Sequence, residues 1–229
     1  MNKKVASSRH FVEIDNVVGF SSGSDTLSSQ KMKAIASYVV TAVVAAMATG
    51  VHAGAEPRVA LTVRLYNTAG ISAQELLSAR DAMESTFQDS GLDLIVRQCG
   101  RGTGSIDPCS ESLKPLEMVV RIIDAPLLDS TVHPDACGVA YVVKETDRGW
   151  LATAYSDRVT SAAVRVGVDA GTLLGLVISH ELGHLLLGSG YHGWSGVMRA
   201  DWSEELLAHP REPWRFSALE AAKMKSRQF

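Results

Sequence analysis

The chain has 229 residues, 46% of them hydrophobic and 21% charged, with a formal charge of −3 at pH 7. That is enough apolar material for one domain with a proper core. Neither a basic block nor an interleaving of aromatic with basic residues occurs, which excludes the usual nucleic-acid footprint.

Residues 1–31 are polar and rich in serine, so no stable fold is expected there, and Met32 is an alternative start. Met32-Lys33 precedes an apolar run over 34–47, and Val51-His52-Ala53 places small residues three and one before a cut. Residues 32–53 therefore read as a signal peptide. The run is short and alanine-rich beside the roughly 20 residues that span a membrane, so no span is expected to survive cleavage. The expected location is secreted or periplasmic, and residues 54–229 are expected to form one monomeric domain.

Residues 58–66 alternate and are β-branched, a first strand. Ser72, with Glu75 three residues on, is a capping box. The helix it opens runs to about Asp89, with Leu76, Ala79, Met83 and Phe87 on one face and Gly91 as its stop. Residues 92–97 form a second strand, and the order strand, helix, strand implies a right-handed crossover between parallel neighbours. Residues 117–123, 137–143 and 149–155 are three more strands, the last two joined by a polar turn as a hairpin. A long apolar helix follows directly, then a short helix over 204–209 and a final one over 218–225. Cys99 and Cys109 flank a loop of Gly, Ser and Pro, where a disulfide is expected in an exported chain. Cys137 is left over, as a buried thiol at a strand start.

The long helix carries His180-Glu181-Leu182-Gly183-His184. Four-residue spacing sends both imidazoles from one face, one turn apart. Two neutral imidazoles so placed suit one Zn²⁺, and Glu181 beside them suits a base that takes a proton from water. Leu173, Leu174, Val177, Ile178 and Leu185 make the helix apolar, and Gly188 and Gly190 end it. A catalytic zinc usually takes three protein ligands. His192, just past the glycines, is the expected third. Glu204 is the alternative, although Ser203-Glu204-Glu205-Leu206 also reads as a helix start with Ser203 as N-cap.

The histidine pair, the glycine turn, His192 and Met198 together resemble the metzincin clan of zinc metallopeptidases. Its pattern reads HExxHxxGxxH, whereas this chain reads HELGHLLLGSGYH, with the glycine and last histidine displaced. The resemblance implies an α/β (α+β) fold: a mixed five-stranded sheet, a packing helix, an active-site helix and a small, mostly helical C-terminal part. It implies that Met198 lies in a turn beneath the metal. It also implies that the strand around 138–143 is an antiparallel edge, able to take an extended peptide as an added strand. Residues 65–71, 154–158, the run HELGHLLLG and residues 196–202 resemble an uncharacterised group of secreted bacterial proteins that carry this motif.

The expected function is a secreted zinc-dependent endopeptidase acting on peptide or protein substrates. His180, His184 and His192 would be its metal ligands and Glu181 its general base. Tyr191 is a candidate donor to the reacting carbonyl, against simple loop packing. Asp201 is a candidate to orient a ligand histidine, with Arg199 as its competing partner. His133 is a spare ligand in a loop that would cover the site. Two other readings share these residues: a zinc amidase on cell-wall peptides and a non-catalytic zinc-binding surface protein.

Overall fold

The computed structural model describes residues 4–7, 58–100, 109–126, 135–188, 190–209 and 213–227. The expected signal peptide, most of the N-terminal extension and His133 lie outside them. Strand β1 (Lys4–Ser7) falls where no stable fold was expected. The central elements are β2 (Val59–Asn67), α1 (Ala73–Phe87), β3 (Leu92–Cys99), β4 (Glu117–Ile123), β5 (Gly138–Val143) and β6 (Arg148–Tyr155). Then come α2 (Ser156–Val166), α3 (Ala170–Leu187), β7 (Asp201–Ser203), α4 (Glu204–Ala208) and α5 (Ala218–Ser226). β1 pairs antiparallel with β7.

Five strands form one mixed sheet in the order β3-β2-β4-β6-β5. β2, β3, β4 and β6 run parallel, and β5 closes one edge antiparallel to β6. The parallel crossover and the hairpin both follow the sequence reading. So does α1, where Ser72 and Glu75 make both halves of the capping box.

Helix α2 departs from that reading, which ran the last strand straight into the motif helix. Val159, Ala162 and Ala163 give α2 a buried face at helical spacing, and Gly167 ends it in a left-handed conformation at φ 79°. The β-branched residues in this stretch obscure a helix whose support is tertiary rather than intrinsic.

Helix α3 is buried along nearly its whole length. It is long and apolar enough to cross a membrane, yet 89% of it lies inside the fold. Asp169 caps it by accepting from the Thr172 N–H at 2.7 Å. Small residues let it settle deep. Leu65, Val120, Ala152 and Ala140 stand side by side across four strands, all buried, and shrink towards β5. The helix lies over the small end, against β5 and β6. On its other side, Gly175 faces α1 so closely that a Cβ there would stand 2.2 Å from the Ala79 carbonyl oxygen.

Cys99 and Cys109 form a disulfide, and Cys137 is a buried free thiol, both as expected. Arg64 and Glu117 form a buried ion pair. Arg64 also donates to the carbonyls of Cys109, Glu111 and Ser112, at 3.1, 2.6 and 3.1 Å, which ties the segment after the disulfide to β2. The Lys114 N–H donates to Glu117 at 3.1 Å. That bond first, and Arg64 after it, holds the Glu117 carboxyl below its ordinary range against the opposing effect of burial.

A carboxylate depressed in the fold contributes stability above its unfolded pKa of ~4.3 and loses it as pH falls through the folded value. Glu117→Gln should therefore be less stable than the parent at about pH 6, and the two urea midpoints should converge towards about pH 3. Parallel curves would remove Glu117 from the acid response.

Candidate metal centre

The motif helix delivers what its spacing promises. His180 and His184 are both 3% exposed, and their Nε2 atoms stand 3.0 Å apart. The chain leaves α3 through Gly188 and Gly190, at φ 97° and 65°, conformations that cost glycine nothing. It turns back at once and brings the His192 ring centroid to 5.5 Å from that of His180 and 4.9 Å from that of His184. One ligand nitrogen from each of the three lies within 4.8 Å of the others.

This donor set fits a zinc ion. Two nitrogens each about 2.0–2.1 Å from a tetrahedral ion are roughly 3.3 Å apart, close to the His180–His184 separation. Burial first, then the neighbouring rings, holds His184 well below its ordinary value. Burial first also pulls His180 down to about 4. His180 and His184 therefore stay neutral, the form that binds a metal.

The tautomer of His180 follows from its partner. The Val197 carbonyl lies 2.7 Å from His180 Nδ1, and a carbonyl only accepts, so Nδ1 carries the proton and Nε2 is the free donor to a cation. This backbone oxygen orients the His180 ring. Asp201 opens β7, and Arg199 donates to the Trp194 carbonyl at 2.9 Å.

Met198 is fully buried under α3. A Cβ on Gly183 would sit 2.2 Å from Met198 Sδ and 3.0 Å from Phe216 Cε1, so only glycine between the two histidines admits that contact. Trp202 from β7 meets the His180 ring edge to face at 5.6 Å. Glu204 is elsewhere: it opens α4 and pairs with Arg165 at 3.2 Å.

Glu181 packs against the edge of the sheet. It is 4% exposed, and a Cβ on Gly138, the first residue of β5, would come within 2.8 Å of its Cγ and Oε1. Burial pushes its carboxyl up to about 8. Tyr191 turns from the site to α5. Burial, then the Glu220 charge, then the hydrogen bond its hydroxyl donates to Glu220, raise its pKa. Lys223 Nζ lies 4.9 Å from its ring centroid, so Tyr191 serves packing rather than the reacting carbonyl. The Val197 carbonyl, Gly138, Gly183 and Glu220 were not singled out in the sequence. The capping pair Ser217–Glu220 was the signal available for the last.

No protein-family profile matches the chain, and no curated protein matches it in sequence. Among solved structures it is similar to metalloproteinase-II from Bacteroides fragilis, with a TM-score of 0.47 and 15% identity over 76% of this chain and 55% of that one. The chain thus spans about half the length of that protein. A likeness at this level leaves the chemistry to the residues themselves.

Gly183→Ala improves helix propensity by about 1 kcal/mol yet overpacks the Met198 contact. The variant should be less stable by about 1–3 kcal/mol, read from urea unfolding with chelator present. A gain in stability would show that Met198 yields freely.

Proposed function

We propose that this chain is a zinc-dependent peptidase that hydrolyses peptide bonds with Glu181 as general base, and that it acts outside the cytoplasm. The observation that carries this reading is the convergence of three histidine nitrogens, two of them on buried residues, with a carboxylate one residue from the first of them. A site that only stores metal has no need of an acid at that position.

Bound by His180, His184 and His192, Zn²⁺ would act as a Lewis acid and lower the pKa of a water molecule from 15.7 towards ~7. Glu181 takes the proton of the attacking water and returns it to the leaving nitrogen. Its packing against Gly138 places that carboxylate beside the edge of the sheet. Among the described residues β5 pairs with β6 alone, and its outer edge would take an extended peptide as an added strand. The Val197 carbonyl fixes the ring of His180 and favours Nε2 as the ligand atom. The Cys99–Cys109 disulfide suits an oxidising compartment, in keeping with the signal-like segment at 32–53.

Glu181→Ala should keep its zinc, measured by elemental analysis, and lose peptide hydrolysis by about 10²–10⁴-fold. Hydrolysis at the parent rate would end the assignment of Glu181. His192→Ala should lower the zinc content where Glu204→Ala leaves it unchanged. The reverse result would make Glu204 the third ligand. A parent protein that takes up no zinc would end the peptidase reading altogether.

A further inference from the structure

The chain contains two capping boxes of the same design, and they are buried differently. At α1, Glu75 accepts from the Ser72 N–H at 2.9 Å in an exposed setting. At α5, Glu220 accepts from the Ser217 N–H at 2.7 Å, yet Glu220 is only 2% exposed. Capping a helix does not require burial, and an ionised carboxylate loses solvation by it. Something besides the cap therefore holds Glu220 inside.

What it touches is the segment that carries His192. The Tyr191 hydroxyl donates to its carboxylate. On the other side of His192, Gly193 lies so close that a Cβ there would stand 2.6 Å from Glu220 Oε1. One turn along the same face of α5, Lys223 sits over the Tyr191 ring. The far end of the helix grips the same segment where it begins: Arg227 donates to both the side chain and the carbonyl of Asp147, and the Asp147 carboxylate presses on Gly188. His180 and His184 are fixed by their own helix. His192 follows a glycine-rich turn, outside that helix.

We infer that Glu220 is a positioning residue for the third metal ligand: its carboxylate clasps Tyr191 and Gly193 and so sets where the His192 imidazole stands. The inference rests on the proposed metal site but asks nothing about hydrolysis. Groups of this kind, one step behind the ligands, typically change metal affinity by about 10–100-fold when removed.

The test is zinc affinity of the full chain, measured by competition with a chelator of known strength, together with the visible spectrum of the Co²⁺-loaded protein. Glu220→Ala should bind zinc about 10–100-fold more weakly and lose intensity in its tetrahedral Co²⁺ bands. Tyr191→Phe should shift affinity in the same direction. Glu220→Gln, which keeps the size of the side chain and one acceptor oxygen for Ser217, should recover most of the loss. Glu75→Ala gives up the matching cap at α1 and should leave zinc affinity unchanged. Parent-like zinc binding by Glu220→Ala, or an equal loss in Glu75→Ala, would overturn the inference while leaving the metal site standing. Should Glu220→Ala not fold, unaltered affinity in Tyr191→Phe overturns it equally. A parent protein that binds no zinc removes the peptidase reading, and this one with it.

Discussion

Two imidazoles with their Nε2 atoms 3.0 Å apart, inside a helix buried on all sides, set the terms for the rest of the molecule. Polar groups removed from water are costly unless something satisfies them. The structure supplies partners from three directions: the Val197 carbonyl for Nδ1 of His180, the His192 ring from the returning chain, and the Trp202 edge-to-face contact. The burial that makes the pair expensive also keeps it neutral. Neutral nitrogens facing one another are a poor arrangement for a pair of histidines alone and a good one for a cation between them.

Small residues decide how this helix reaches its place. Gly175 brings α3 against α1, the alanines of β5 and β6 let it lie low on the sheet, and Gly183 opens its underside to Met198. Gly138 does the same for Glu181 at the sheet edge. Each absent side chain removes a spacer of an ångström or two, and together they fix where the ligand face points. The helix is thus held by shape on every side, which is what a site needing accurate donor positions requires. The remaining donor comes from outside that frame, on a segment braced by α5.

Much of this was legible in advance. The strands, their parallel crossover, the hairpin and the capping box at Ser72 rest on patterns within a few residues of one another, where local sterics dominate. The motif helix and its histidine pair were legible for the same reason. Helix α2 was not, because its β-branched residues weaken its intrinsic signal while its packing supports it. Lys4–Ser7 was read as unstructured because strand pairing depends on an edge offered elsewhere in the chain.

The sequence by itself determined that His180 and His184 share a helix face with Glu181 beside them, since a helical period of 3.6 leaves no other outcome. It left His192 and Glu204 in competition, because distance along a chain after a glycine turn does not fix distance in space. Only the tertiary structure set those distances, bringing the His192 ring to the pair and Glu204 to Arg165. Only packing, too, separated Glu220 from Glu75. The two stand in identical local motifs, and what differs is the surface that each helix end meets.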